Sequence, residues 1–260
     1  MVSHWKELIR YRELLLVWVW RNIKVRYKQS LLGVAWAIIQ PLSATILFAI
    51  VFSRFVRVPT QGIPYPIFYY SALLPWTFFA SSITTGVPSL VVNMHLVTKI
   101  YFPREILPIA YVLASFVDFL VASVIFVGMM LFYRVPLAAS MVLVPVLLLV
   151  QIILTLGVVL LASALNVFYR DINFIVPLGM QIWMYLTPII YPLELVPERF
   201  QGLYMLNPMA GLIESYRRIV LTGQWPEPAH VASAVMVSLV IFLLAYWYFK
   251  RAEVVFADII

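Results

Sequence analysis

The side chains able to do chemistry in this sequence are few and far apart. His4, His95 and His230 are its three histidines, and no two fall at a spacing that lets one helix face hold a metal. Cysteine is absent, which removes thiol nucleophiles, thiolate metal sites and disulfides. Glu194 and Glu198 come nearest to a carboxylate pair, and their place at a loop start favours solvation over acid–base work. A phosphate-cradling loop of the form G-x-x-x-x-G-K-[ST] occurs nowhere; Gly33, Gly86, Gly128 and Gly157 all run into apolar sequence. The reading is therefore no catalytic residue, no metal and no cofactor bound by this chain. Any uphill work must draw its energy from elsewhere. Asp118 stands out as the one acid inside a long apolar run. A carboxylate at that depth is costly, so it must face protein or water. A proton relay needs a chain of such groups, so Asp118 reads as a structural carboxyl bonded to a neighbouring helix, with an ion site as the alternative.

Composition says which elements must position these residues. Apolar residues make up 64% of 260 and charged residues only 11%, against about a quarter in soluble domains. A soluble enzyme and a disordered chain are both excluded. Charges punctuate six apolar windows: Lys28 to Arg54, Arg57 to Lys99, Glu105 to Arg134, Arg134 to Arg170, Asp171 to Glu194 and Glu227 to Lys250. Each has room for one spanning helix of roughly 20 residues. The expected fold class is an all-α polytopic membrane protein with six transmembrane helices. Lys6, Arg10, Arg12, Arg21, Lys24, Arg26 and Lys28 precede the first window, and Lys99, Arg104, Arg170, Lys250 and Arg251 fall on the same side. They outnumber Arg54, Arg57, Arg134, Arg199, Arg217 and Arg218 opposite, so both termini are expected to be cytoplasmic. The net charge of +7 is thus mostly topological and gives no case for nucleic acid. The charged N-terminus also lacks the shape of a cleavable signal peptide.

Two segments are neither spans nor plain loops. Residues 1–30 alternate cations with Trp5, Ile9, Leu16, Trp20, Ile23 and Tyr27, the pattern of an amphipathic helix in the membrane interface facing anionic lipid or a soluble partner. Residues 31–260 then form the six-span domain, ending in a short tail over 250–260. Within 194–227 the uncharged run 200–213 is too short to cross and is broken at Asn207-Pro208, which suits a re-entrant outer hairpin or a packed surface loop. Aromatic residues cluster over 65–79 and 183–191. Trp76, Phe78, Phe79, Trp183 and Tyr185 sit deeper than an interfacial belt, where rings with interspersed hydroxyls suit a sugar path; helix packing is the plainer use.

These residues together resemble a family, the membrane subunits of ABC-2 type polysaccharide exporters. The resemblance rests on Arg26-Tyr27 running into Leu31-Leu32-Gly33-Val34-Ala35-Trp36 and Gln40-Pro41, on Leu74-Pro75-Trp76, and on the loop Lys99-Ile100-Tyr101-Phe102-Pro103-Arg104-Glu105. Leu165-Asn166-Val167-Phe168-Tyr169-Arg170-Asp171, Leu206-Asn207-Pro208 and the tail Glu253-Val254-Val255-Phe256-Ala257-Asp258 continue it, so it covers essentially the whole chain in order. It implies a plasma (inner) membrane permease exporting lipid-linked glycan of the O-antigen, capsule or teichoic acid type. Two copies of the chain would form the pore, and two copies of a separate P-loop ATPase, carrying ATP and Mg, would drive it. Arg21, Arg26, Phe102, Pro103, Arg104 and Glu105 would couple to that ATPase. Leu32, Gly33 and Trp36 would form the interface-helix loop. Trp76, Phe78, Phe79, Trp183 and Tyr185 would line the glycan channel, and Asn207 and Pro208 would serve the outer gate. Two other classes compete: an ion-coupled secondary transporter, which lacks its usual repeats and intramembrane charges here, and a membrane enzyme, which lacks an acid–base pair.

Overall fold

The computed structural model describes residues 9–28 and 32–256. His4, Trp5, Lys6, Leu31 and the Ala257-Asp258 end of the tail lie outside the described residues. Every regular element among the described residues is helical. In chain order these are α1 (Arg12–Tyr27), α2 (Trp36–Ile50, extended by a π turn over Val51–Phe55), α3 (Tyr65–Gly86), the short α4 (Ser89–Val92) and α5 (Met94–Lys99), and α6 (Ile106–Phe132). They continue with α7 (Val144–Phe168), α8 (Ile172–Tyr185), α9 (Glu198–Tyr204), α10 (Pro208–Leu221) and α11 (Pro228–Ala252).

Four helical segments are long and apolar enough to cross a membrane: Trp36–Phe55, Ile106–Phe132, Ala139–Phe168 and Pro228–Val255. This is a polytopic helical membrane protein. The fifth helix of spanning length, α3, has 22 residues but carries many tyrosines, serines and threonines. It needs less lipid affinity because it is the hub, packed against α2, α6, α7, α8 and α10. Tyr70 in α3 donates to the Ala122 carbonyl of α6, and Gln151 of α7 donates to the Pro75 carbonyl at 2.6 Å while accepting from Tyr216 of α10. Those bonds satisfy polar groups that hydrocarbon would leave stranded.

The fifth apolar window, Asp171 to Glu194, behaves differently from the others. Here α8 has only 14 residues, about 21 Å of helix against a hydrocarbon core of about 30 Å. It stops because Leu186-Thr187-Pro188 breaks the ladder, and the chain then runs irregularly through buried Thr187–Ile190. The hairpin is two helices, α9 and α10, joined at Asn207-Pro208 as the break in the uncharged run suggests. Of these, α10 is almost wholly buried against α3, α7 and α11.

Helix α1 packs on α6 through Trp18, Val19 and Asn22. Leu16 and Trp20, read as part of its apolar face, stay exposed. One face of α1 packs on protein and the other does not. Gly33 adopts φ +50 in the turn that carries the chain from α1 to α2, a backbone state that glycine enters without strain. Leu32 and Trp36 flank it and are exposed.

A close backbone contact joins α7 to α11. A Cβ on Gly157 would lie 2.9 Å from the Phe242 Cα, so only glycine lets the two backbones approach this closely. Gly157→Ala should destabilise the fold by about 1–3 kcal/mol through overpacking, read as a lower thermal midpoint of the detergent-solubilised protein. An unchanged midpoint would mean that α7 and α11 do not meet this tightly.

Candidate functional site

Three polar clusters interrupt the apolar packing, and each draws on residues singled out above. The first joins α1 to α6. Arg26 forms an ion pair with Asp118, and Tyr27 donates to the same carboxylate at 2.6 Å. Burial, then the bond to Asp118, pushes the Tyr27 phenol up from its ordinary value, so it stays a donor. The Asp118 carboxylate is thus held from α1, not from another span. Arg26, read as a coupling residue, is correspondingly turned towards α6 and half-buried. Arg21 remains at the surface, where its guanidinium covers the Trp18 ring and bonds Asn93 at 3.2 Å. Because Asn93 sits between α4 and α5, this bond ties the interface helix to the short helices of the loop.

The second cluster locks that loop to the end of α11. Lys250 bonds both Glu105 and Glu253, and the Arg104 amide reaches Glu253 at 3.4 Å. Burial pushes the Glu105 carboxyl up from its ordinary value, against the Lys250 bond that pulls it down. Phe102 is 5% exposed and packs with Trp18, Leu107, Phe249 and Phe256. Phe102, Pro103 and Glu105 are therefore buried in the chain's own core and are not free to enter a partner's cleft, which corrects that assignment. Arg104 is half-buried. The projecting side chain is its neighbour Tyr101, 77% exposed, beside exposed Ile100 and Lys99.

The third cluster sits where α8 ends. The Asn207 side chain caps α10 by accepting from the Met209 amide and also accepts from the Trp183 indole at 2.8 Å. It donates to the Thr187 hydroxyl at 2.9 Å. Trp183 and Asn207, assigned separately to a channel and a gate, are thus one bonded junction, with Pro208 as the first residue of α10. Beneath it Arg217 donates to the carbonyls of Pro188 and Ile189 and lies 3.8 Å over the Phe68 ring. Burial lowers its pKa to about 10, so it stays charged at neutral pH and keeps its donors.

The aromatic candidates divide. Trp76 and Phe79 are sealed in the core, with Phe79 edge-on to Trp183 at 5.0 Å. Phe78 is buried too but borders a cavity of mixed lining, against Phe119. Tyr185 is 55% exposed at the end of α8, on an apolar face shared with Phe174, Leu178 and Ile182. Position in the sequence did not reveal which way these rings point. Arg217 and Gln151 escaped notice because a lone polar residue carries no sequence sign of what it will bond. No group of three or more potential metal ligands occurs among the described residues.

Comparison with known proteins adds an independent line. A family model described as ABC-2 type transporter matches residues 13–221. The O-antigen export system permease protein RfbA of Myxococcus xanthus is 30% identical over 261 residues, 99% of each chain. Its namesake in Klebsiella pneumoniae is 30% identical over 249 residues, 95% of each. The polysialic acid transport protein KpsM of Escherichia coli is 22% identical over 247 residues, 90% of this chain and 91% of its own.

The Asp118 cluster makes a direct expectation. Asp118→Leu strands the Arg26 guanidinium and should cost about 1.5–3 kcal/mol, the scale of a hydrogen bond to a charged group. Asp118→Asn keeps an acceptor and should lose less, and Arg26→Leu added to Asp118→Leu should recover stability. Thermal midpoints of the wild type, Asp118→Leu, Asp118→Asn, Arg26→Leu and the double variant check this; a double variant as weak as the sum of its parts would show that the two side chains do not interact.

Proposed function

This chain belongs to the ABC-2 type transporter family, and from that premise we propose that it is the membrane-spanning permease subunit of an exporter of lipid-linked polysaccharide. The observation that carries the proposal is its end-to-end similarity to two O-antigen export permeases from different organisms. The substrate is a glycan of the O-antigen, capsule or teichoic acid type on a lipid carrier. ATP and Mg are bound by a separate P-loop ATPase, since the sequence has no phosphate loop of its own. The site is a plasma membrane, inner where two membranes exist, with both termini cytoplasmic.

In this reading the chain crosses six times, α8 being a shortened fifth crossing and α9–α10 a re-entrant hairpin on the outer side. A homodimer supplies the pore. Support for it comes from the unpartnered apolar faces of α8, at Phe174, Leu178, Ile182 and Tyr185, and of α2, at Ile39, Ile46, Leu47 and Ile50. Two copies brought together on these faces would enclose a path, with Tyr185 on it and the Trp183–Asn207–Pro208 junction at its outer end as the gate. Trp76 and Phe79 serve that path from behind, by fixing Trp183.

Energy enters at the opposite end. The ATPase meets α5 and the following loop, where Lys99, Ile100 and Tyr101 project and buried Phe102, Pro103 and Glu105 make the base rigid. Motion there passes through Arg21–Asn93 to α1, and through Lys250 to α11. The ion-coupled alternative would need a free intramembrane acid, and Asp118 is engaged by Arg26 and Tyr27.

Tyr101→Ala should leave the thermal midpoint unchanged and weaken ATPase binding tenfold or more, about 1.4 kcal/mol, with export falling in step. Phe102→Ala should instead destabilise the chain by about 3–5 kcal/mol. Pull-down of the ATPase and surface glycan staining in cells check both. Normal coupling in the Tyr101 variant, with no crosslink from position 101 to the ATPase, would overturn this placement.

A further inference from the structure

Between α1, α2, α3 and α6 lies a cavity of about 470 Å³, within the range of small-molecule clefts. Its polar wall carries the Arg26–Asp118 pair, Gln40, and the hydroxyls of Thr77, Ser81 and Ser115. Facing them are the rings of Trp36, Phe78 and Phe119. Trp36 and Gln40 are exposed, so the cavity opens along α2. We propose that this cavity is a sugar-binding subsite, holding the glycan of the lipid-linked substrate at the margin of α2 before it enters the path between the two copies.

The chemistry of the wall selects among ligands. Arg26 and Asp118 cancel in charge, and no second cation lines the cavity. A phosphate or diphosphate, which only accepts hydrogen bonds, would have to share Arg26 with a carboxylate of its own sign. An acyl chain would make no bond with the Gln40 amide or with the free acceptor capacity of the hydroxyl oxygens on this wall. Sugar hydroxyls both donate and accept. They can donate to Asp118 and to the threonine and serine oxygens, and accept from Arg26 and Gln40. Thr77 already donates to the Leu74 carbonyl at 2.9 Å, so its oxygen faces outward as an acceptor. The rings opposite offer flat apolar surface to the C–H faces of a pyranose. A carboxylate, a guanidinium, an amide and aromatic walls in one neutral cavity fit a polyhydroxylated ligand better than an anionic or an apolar one.

The proposal rests on the polysaccharide-export reading, and the experiment separates the two. In cells making the native glycan, with the whole exporter present, p-benzoyl-phenylalanine is placed at Thr85 on the cavity wall and, as control, at Val124 on the outer face of α6. The probe is the cell's own lipid-linked glycan, metabolically labelled in its sugars. The expected result is a sugar-labelled adduct at position 85 and only phospholipid at 124. Ser81→Leu, which fills the cavity, should cut adduct and export at least tenfold, while Ser81→Thr keeps both; if Ser81→Leu does not fold, Gln40→Ala at the exposed mouth replaces it and should cut the adduct severalfold. Phospholipid alone at position 85, or an undiminished sugar adduct in the cavity variants, overturns the subsite. Surface glycan that persists when the chain is deleted would instead overturn the exporter reading itself.

Discussion

Everything in this structure answers to one constraint: a backbone passing through an apolar medium must find its hydrogen bonds inside the protein. Regular helices meet it by themselves. Where the helix stops, at Thr187–Ile190, the carbonyls of Pro188 and Ile189 are met by the guanidinium of Arg217, and Tyr65 donates to the carbonyl of Ile190. A broken segment can therefore lie buried among helices, and α8 can end short of a full crossing. The packing of α10 beneath this break follows from that, since α10 delivers Arg217.

The same rule explains the placement of the other polar residues. Gln151 links α3, α7 and α10 through Pro75 and Tyr216, and Asn207 joins the end of α8 to the start of α10. Asp118 is met from α1. Each is a tie between elements at a point where apolar packing alone would let them slide. The result is a stiff centre around α3, a bonded junction between α8 and α10, and an opposite end where α1, the loop before α6 and the tail of α11 are stapled together. A displacement of that loop would therefore reach several helices at once.

Much of the fold could be read from the sequence because apolar length and charge placement are governed by the membrane. The charge-free windows marked out α2, α3, α6, α7 and α11, and Asn207-Pro208 marked the break between α9 and α10. Side-chain direction was not readable. Phe102 looked like a projecting knob because the loop is polar around it, yet the core formed by Trp18, Phe249 and Phe256 lies against it from distant parts of the chain. Arg26 read as a surface cation because its helix is amphipathic, and only the fold brings Asp118 to it. The rings at Trp76 and Phe79 are buried, and spacing along α3 does not say which neighbours will close over them.

In the function proposed above, this chain is a passive conduit whose work is supplied by a separate ATPase. Co-reconstituting the purified chain with its cognate ATPase, in vesicles loaded with labelled lipid-linked glycan, tests this directly through the appearance of glycan on the far side. The prediction is that transfer requires both proteins, the chain and ATP hydrolysis, and is indifferent to proton or sodium gradients. Transfer by the chain alone under an ion gradient, or ATP-driven transfer by the ATPase without the chain, would contradict it.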